Sequence, residues 1–476
     1  MKYFSGFLLI LSFSGNANYK QLSNEFMSEN TQIRSLLGDV IKADEGIKIV
    51  ESLLAPKLES EISYLDNNSD SANAVNFAAG KTSLFKLNFS KTTSWGGQFS
   101  FNNSYEKVVQ DPSRIRIFGG DPEISQFKQS LSFSTSLTKN FFGQKFDLQH
   151  NASILNADFT DLMAQQTVNN LYVEFSKSYA NAALAKKLNL LQKEALKRAE
   201  ARLVLIRRRV NDGINLKADL YRAESAKIFQ EEQLGLSEQD FKKTLFVLSS
   251  QLNRPVKIDE IGEIYNLDSH LKNFEELSVS IEKESLLILA NTQYSDQKKI
   301  EKELSGRELL PDLNLVAAYQ TNDYDANSSK VFDNGNLAGE KNTISVSLNL
   351  TYNLGLISEK SRMAQAEINH NQALYQLNSV VVTNQEKLKL LQQNIELSKI
   401  NKEKAQKRVD LSEAIIGEYV KLFSLGRVTL DQVIQAEEDL ISAQRSLANQ
   451  ITTNFSQSLE LLALNHFLPE FVLEDK

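Results

Sequence analysis

Apolar and polar residues alternate one by one in several short segments of the chain. In 342–353 the even positions, from Ile344 to Tyr352, are apolar, whereas the odd positions between them are polar. A period of two predicts a β-strand with one apolar face. The same alternation predicts further strands at about 57–65, 127–138 and 312–320, with a polar loop at 321–341.

A second pair of alternating segments lies between the first two of these strands. Phe85, Leu87 and Phe89 are apolar alternate positions, and another such run extends from Trp95 to Tyr105. We predict an inserted β-hairpin at about 81–106. Its apolar face favours contact with a membrane. Whether it adds two strands to the main sheet or projects away from it stays open.

The rest of the chain has the pattern of very long helices. Residues 144–212 and 356–416 contain neither proline nor glycine. A helix of this length reaches about 100 Å and must pack on other helices. From Leu374 to Tyr419, ten of 14 positions spaced alternately by three and four residues are apolar. This period of 3.5 predicts a coiled-coil seam.

Each long helix is followed by a turn and a returning helix. Gly213 ends the first helix, and Asn215 can cap its successor. Gly426 ends the second, and Thr429 with Gln432 forms a capping box before the next helix. The sequence therefore predicts two helical hairpins, at 144–254 and 356–466.

The two halves of the chain repeat one another. Gly213, Ala223 and Glu224 match three residues that lie 213 positions further on, Gly426, Ala436 and Glu437. A Pro-x-Leu segment precedes the first strand of each half. We predict a first repeat at 18–258 and a second at 259–476, each with a helix, strands and a helical hairpin. The inserted hairpin belongs to the first repeat.

The N-terminal segment 1–17 resembles a secretory signal peptide. Lys2 is followed by the apolar run Phe4–Phe13, and small residues end at Ala17. The run is too short to cross a membrane as a helix. We therefore expect an exported protein; the alternative for this segment is a buried core helix.

Composition excludes several classes of function. The chain has 53 basic and 60 acidic residues, four histidines and no cysteine. The net charge of −7 argues against a nucleic-acid partner. The histidines are widely separated, and no phosphate loop, nucleophile elbow or dinucleotide glycine pattern is present. We predict no enzyme, no catalytic residues, no metal site and no cofactor.

Strands of about ten residues with one apolar face, joined by polar loops, are typical of outer-membrane β-barrels. A soluble sheet with one buried face has the same pattern. Four to six strands per chain cannot close the smallest barrel, which has eight. If the protein enters a membrane, strands from several chains must be pooled.

In this order of strands and helical hairpins, and in the tip sequence Leu425–Leu430, the chain resembles the TolC-like outer-membrane efflux proteins. The resemblance implies a mixed α and β fold, in which a trimeric transmembrane β-barrel continues into a long α-helical coiled-coil tunnel in the periplasm. It implies a homotrimer with four strands per protomer in the outer membrane of a Gram-negative bacterium. The implied partners are outer-membrane lipid, a periplasmic adaptor (membrane fusion) protein and an inner-membrane transporter.

By the same resemblance, the helical tips bind the adaptor and the segment behind them forms a constriction. The tip residues are Val210, Gly213, Ile214, Leu425, Gly426, Arg427 and Val428. From spacing alone, the two glycines are simply helix stops. The family often places aspartates six and nine residues after the second tip glycine, where this chain has Gln432 and Gln435.

Two acidic residues remain near the expected constriction, Asp431 and Asp219. We expect Asp219 either to pair with Arg427 or Arg209 in a closed state, or to serve as an ordinary acidic residue at a helix start.

The resemblance predicts the passive exit duct of an efflux or type I secretion system. The first alternative is a structural or adhesive coiled-coil protein of the cell envelope. The second, an envelope enzyme, is disfavoured because no catalytic motif is present.

Overall fold

The computed structural model describes residues 17–68, 80–110, 123–265 and 285–464. The predicted signal peptide, apart from Ala17, lies outside these ranges. The chain forms two compact units. Among the described residues, a helical unit lies within 17–40, 159–291 and 376–464, and a sheet unit lies within 41–158 and 292–375. Each unit therefore draws on both predicted repeats.

The sheet unit contains one antiparallel sheet of six strands. The strands are β1 (Lys57–Asn67), β2 (Gly80–Thr92), β3 (Gly97–Gln110), β4 (Glu123–Ser136), β5 (Asp312–Asp325) and β6 (Asn342–Thr351). Their order in the sheet is their order along the chain. β2 and β3 lie where the sequence predicts the inserted hairpin, and they stand between β1 and β4. The hairpin thus belongs to the sheet.

The loop predicted at 321–341 is shorter than expected. β5 continues to Asp325, and a short helix, α6 (Val331–Asn334), interrupts the remainder. Thr321 and Asp323 are buried because this segment folds back on the sheet: the Thr321 hydroxyl donates to the Gly335 carbonyl at 2.8 Å. The strand after this loop, β6, ends at Thr351, two residues before the predicted end of the strand at 353.

The other helices are α1 (Ala17–Glu29), α2 (Thr31–Glu51), α3 (Gln144–Asn211), α4 (Lys217–Gln251), α5 (Leu286–Arg307), α7 (Ile357–Ser424) and α8 (Leu430–Ala463). α3 and α7 each have 68 residues, as the absence of proline and glycine predicts. α4 ends three residues before Arg254. The predicted end of the last helix, His466, lies outside the described residues.

Part of the seam predicted along α7 is buried in the helical unit. Its buried members are Asn384, Leu391, Ser398, Ala405 and Val409, whereas Leu374 at its start is exposed. Seven residues separate the first four in turn, as a coiled coil requires. Small side chains at two of these positions allow close helix packing, which explains why the seam is not uniformly apolar.

Aromatic side chains fill the core of the helical unit. Phe175 and Phe455 are fully buried, and Phe26 of α1 stacks on Phe175 with ring centroids 4.4 Å apart. The buried Tyr19 hydroxyl shares a hydrogen bond of 2.7 Å with Ser176 Oγ. Together these contacts fix α1 against α3.

Candidate functional site

The first helical tip is built around Gly213. This residue has φ +74°, a conformation that glycine adopts without strain. Its N–H donates to the Val210 carbonyl at 3.1 Å, and the Ile214 N–H donates to the Arg209 carbonyl at 2.8 Å. These bonds satisfy the last carbonyls of α3 and turn the chain sharply into α4.

The second tip has the same hydrogen bonds, 213 residues further on. Gly426 has φ +71°, its N–H donates to the Phe423 carbonyl at 3.0 Å, and the Arg427 N–H donates to the Leu422 carbonyl at 2.9 Å. The predicted capping box follows: the Thr429 N–H donates to Gln432 Oε1 at 2.9 Å. Backbone geometry is thus the same at the two tips.

The two tips share one small apolar cluster. Ile206, Ala223, Phe423, Leu430 and Val433 are buried together, one or more from each of the four long helices of the hairpins. Val210 and Val428 pack against this cluster. Ile214 and Leu425, by contrast, are about two-thirds exposed. Of the predicted tip residues, the two valines therefore hold the tips together, while the others remain accessible.

Three of the four residues predicted at the constriction, Asp219, Gln432 and Gln435, form local contacts. Asp219 accepts the Leu216 N–H at 3.2 Å and an Asn215 side-chain N–H at 3.1 Å. It therefore caps its own helix, as an acid at a helix start does. Leu216, not Asn215, is the N-cap residue of α4. Gln435 donates to Asp439 at 3.1 Å. Within the described part of this single chain, no ion pair joins Asp219 to Arg209 or Arg427.

Two ion pairs that the sequence did not suggest connect the hairpins. Arg222 of α4 pairs with Asp431 of α8 at 2.7 Å, and both side chains are more than half exposed. Further from the tips, Arg202 of α3 pairs with Glu437 of α8, and both are largely buried. The partners lie 209 and 235 residues apart in the chain, so no local motif could have revealed them.

Arg209 makes a third contact between the hairpins. Its guanidinium lies 5.2 Å from the centre of the Phe423 ring and donates to the Phe423 carbonyl at 3.3 Å. A planar cation over an aromatic face is favourable. Arginine side chains therefore make several of the contacts between the two hairpins near their tips.

In the sheet unit, most apolar side chains of the strands lie on one face of the sheet, and the other face is mostly polar. Aligned positions form one continuous apolar row across all six strands: Leu58, Phe89, Phe101, Leu131, Tyr319 and Ile344. The neighbouring row on the opposite face is Glu59, Asn88, Asn102, Ser130, Gln320 and Thr343.

Apart from one end, which is described below, the apolar face is not covered by the other residues that the structure describes. Ile62, Ile344 and Val346 are at least 70% exposed, and even Leu131, in the middle of the sheet, is about half exposed. A contiguous exposed apolar surface on this scale indicates contact with a membrane or another protein.

The polar face forms hydrogen bonds from strand to strand. Lys86 pairs with Glu61 at 3.2 Å, and Gln126 donates to Asn322 at 2.8 Å and to the Tyr324 hydroxyl at 2.9 Å. Most other side chains on this face are Ser, Thr, Asn and Gln. Such a surface suits contact with water.

At one end, the apolar face is covered by the segment that contains α6. The Phe332 ring lies 4.6 Å from Phe127 and 5.4 Å from Tyr105. The Leu337 N–H donates to Gln129 Oε1 at 2.9 Å. Lys341 pairs with the buried Asp323. The open apolar area is thus bounded at this end by a polar rim.

Candidate chemistry elsewhere is limited. No group of three or more His, Asp or Glu side chains is arranged to hold a metal within the described ranges. His150 lies against Glu51 at 3.2 Å and stacks on Phe146. His270 and His466 lie outside those ranges. None of the described helices has the length and apolar character needed to cross a membrane.

Comparison with known proteins gives a clear match in structure alone. No protein-family model matches the chain, and no curated protein is significantly similar to it in sequence. Solved structures of outer-membrane channels, however, share its fold. The Campylobacter jejuni CmeC channel superimposes with a TM-score of 0.68 at 14% identity, over 96% of this chain and 87% of that one.

Two further solved structures match similarly. The outer membrane protein VceC of Vibrio cholerae has a TM-score of 0.66 at 14% identity, covering 95% of this chain and 98% of its own. The open state of the Neisseria gonorrhoeae MtrE channel superimposes with a TM-score of 0.66 at 14% identity, over 95% of this chain and 89% of that one. The chain therefore has the fold of TolC-like outer-membrane channel proteins, which the sequence resemblance implied.

Proposed function

We propose that this chain is the channel subunit of an outer-membrane exit duct, in which the sheet crosses the membrane and the helical hairpins form the periplasmic part. Three copies assemble, and each contributes its sheet to a common β-barrel. The duct is passive: a periplasmic adaptor and an inner-membrane transporter, of an efflux or type I secretion system, supply cargo and energy. We assign no catalytic residue and no cofactor.

The observation that carries this proposal is the separation of the two sheet faces. A soluble protein would bury the apolar row from Leu58 to Ile344, yet this chain leaves that row exposed. On the opposite, polar face, side chains of neighbouring strands form hydrogen bonds with one another. Lipid outside and water inside satisfy both faces at once. Ten strand residues at about 3.3 Å each, tilted by about 40°, rise about 25 Å, which is the height of the apolar band of such barrels.

The exposed tip residues support an adaptor-binding role for the ends of the helical hairpins. Gly213, Ile214, Leu425, Gly426 and Arg427 are accessible, and the apolar cluster beneath them holds both tips in one arrangement. A pair of preformed apolar tips suits docking with a partner, because little order has to be created on binding. Asp431, Gln432, Gln435 and Asp219 lie just behind the tips, where we place the constriction.

Cell fractionation tests the proposal as a whole. We expect a detergent-extracted trimer from the outer membrane that migrates differently on gels before and after heating. A water-soluble periplasmic monomer would overturn the proposal and would favour an envelope protein of another kind. A strain that lacks the gene should become more sensitive to dyes, detergents or antibiotics, or should fail to secrete a polypeptide.

The tip assignment has its own test. We expect Gly426→Val to weaken crosslinking to the adaptor, because a β-branched residue at φ +71° is strained by about 1–3 kcal/mol and must reshape the turn. Open space surrounds this glycine, so the strain arises in the backbone rather than from a clash. Gly417→Ala, in the interior of α7, is the matched control and should leave crosslinking unchanged. Undiminished crosslinking of Gly426→Val would remove the tip from the binding site.

A further inference from the structure

The inserted hairpin, β2 with β3, is joined to the sheet as firmly as the other strands. Thirteen residue pairs align between β2 and β3 and thirteen between β3 and β4. Phe89 and Phe101 occupy the middle of the apolar row, while Asn88 and Asn102 occupy the polar row beside it. A hairpin that projected into water would need neither this register nor this division of faces.

The turn of the hairpin is fixed at the end of the sheet where β4 leads into α3. Gly143 has φ +78°, and any side chain there would collide with the Ser94 carbonyl, at 1.7 Å from the Cβ position. The Thr135 hydroxyl donates to the Gly96 carbonyl at 3.3 Å. Trp95 packs on Phe133, with ring centroids 5.7 Å apart. This close fit places the turn level with the ends of the neighbouring strands.

Among the described residues, the two outer strands, β1 and β6, each pair with one neighbouring strand only. All of β6, and all of β1 except Asn67, is exposed in the single chain. Because the sheet is antiparallel with an even number of strands, β1 and β6 run in opposite directions. The β6 edge of one copy can therefore pair with the β1 edge of the next as an antiparallel neighbour, which removes both free edges.

We infer, on the basis of the proposed three-copy channel, that the barrel has eighteen strands, six from each chain, rather than the twelve that four strands per chain would give. Barrel diameter grows roughly linearly with strand number, so the barrel is about 1.5 times wider. With strands about 4.8 Å apart and tilted by about 40°, the backbone diameter is about 36 Å instead of about 24 Å.

A barrel of this size encloses a wide, water-filled lumen, as eighteen-stranded porins do. Inward side chains reduce the free width to about 26 Å, if each wall takes about 5 Å. A helical polypeptide, about 10–12 Å across, passes such an opening with its hydration shell. The membrane portion therefore does not select cargo by size, and bulky solutes or polypeptides can leave through it.

Electron cryo-microscopy of the full-length protein in lipid nanodiscs counts the strands directly. Eighteen strands around one lumen, with β2 and β3 between β1 and β4 of each chain, is the expected result. A three-copy barrel of twelve strands, with the hairpin outside the barrel, would overturn this inference and leave the proposed channel intact. A single copy with no ring would overturn both.

Trp95 offers an independent readout, because it is the only tryptophan of the chain and lies in the hairpin turn. In vesicles that contain brominated lipids, we expect its emission to be strongly quenched. The matched control carries Trp95→Phe with Val346→Trp, which places the probe on the apolar face of β6, in the row of Phe133. If brominated lipid quenches tryptophan emission to a similar extent in the unaltered protein and in this control, the inference is supported.

A second control carries Trp95→Phe with Ser347→Trp, which moves the probe to the polar face of the same strand. Its emission should respond to a water-soluble quencher and not to brominated lipid. If Trp95 of the unaltered protein behaves like this second control, the hairpin lies in water and the eighteen-stranded barrel is excluded.

Discussion

In the helical unit, Tyr172, Phe175 and Phe455 have no exposed surface, whereas in the sheet unit Ile62, Ile344 and Val346 are mostly exposed. One unit buries its apolar side chains in its own core, and the other displays them. The same chain thus follows two opposite rules of burial. The proposed channel accounts for this difference, because it places water around the helices and lipid around the sheet.

Truncating an aromatic side chain in the helical core should have the largest effect on stability. Phe175→Ala removes the ring that stacks on Phe26, and such changes cost about 3–5 kcal/mol. We expect a clear drop in the melting temperature of the helical circular dichroism signal in detergent. Leu348→Ala, on the open face of the sheet, is the matched control and should leave that signal nearly unchanged. Equal losses for both would contradict the contrast between the units.

Buried charges should matter more than exposed ones inside the helical unit. Arg202→Met leaves Glu437 buried without its partner, which costs about 3–5 kcal/mol. Arg222→Met breaks the exposed pair with Asp431 and should cost at most about 1 kcal/mol. Thermal unfolding of the two variants measures the difference. Replacing Arg202 and Glu437 together by apolar residues should restore most of the loss; if it does not, the loss does not come from a buried charge without a partner.

A charge on the apolar face of the sheet should impair membrane insertion, whereas one on the polar face should not. Leu131→Arg places a cation on the face that we propose contacts lipid. Near the middle of the bilayer, such a cation destabilises the inserted state by about 2–4 kcal/mol. Ser132→Arg, the next residue on β4, points to the opposite face and is the control. The fraction of heat-modifiable protein after folding into vesicles measures insertion. A greater loss for Ser132→Arg would reverse our assignment of the two faces.

Much of this architecture was predictable, because each strand and long helix repeats one environment along its length. The alternation from Ile344 to Tyr352 located β6, and the 3.5-residue period located the buried seam through Leu391 and Val409. The helix α6 was missed because four residues are too few to show a period. The covering of the apolar face by Phe332 was missed for the same reason.

The candidate site was predictable only where a single residue determines the local backbone. Gly213 and Gly426 located the tips, because their positive φ values end the helices. The pairs Arg202–Glu437 and Arg222–Asp431 depend on how two distant hairpins pack, which no local pattern contains. Asp219 illustrates the converse: its spacing alone allowed either a closing ion pair or a helix cap, and the geometry of this chain provides the cap.

Acid should weaken both units, through one carboxylate network in each. In the helical unit, a hydrogen bond from Arg254, at 2.7 Å, holds the pKa of Glu260 below its ordinary value of 4.5. In the sheet unit, Lys145 at 2.7 Å, assisted by Lys139, lowers the pKa of Glu308 in the same way.

A carboxyl group whose pKa is lower in the folded state stabilises the fold fully above pH 4.5, and this contribution is lost as the pH falls through the folded pKa. Both carboxyl groups are partly exposed to solvent, so we expect this loss of stability to be smaller than the effects of Phe175→Ala, Arg202→Met and Leu131→Arg. The melting temperature should fall as the pH is lowered below 4.5, and Arg254→Met should flatten the helical component of that fall, since it returns the pKa of Glu260 towards its ordinary value. Glu308→Gln is the control, because it removes the titrating group from the sheet unit alone and should leave the helical component as it is. An unchanged acid response in Arg254→Met would mean that other carboxylates dominate the pH dependence of the helical unit.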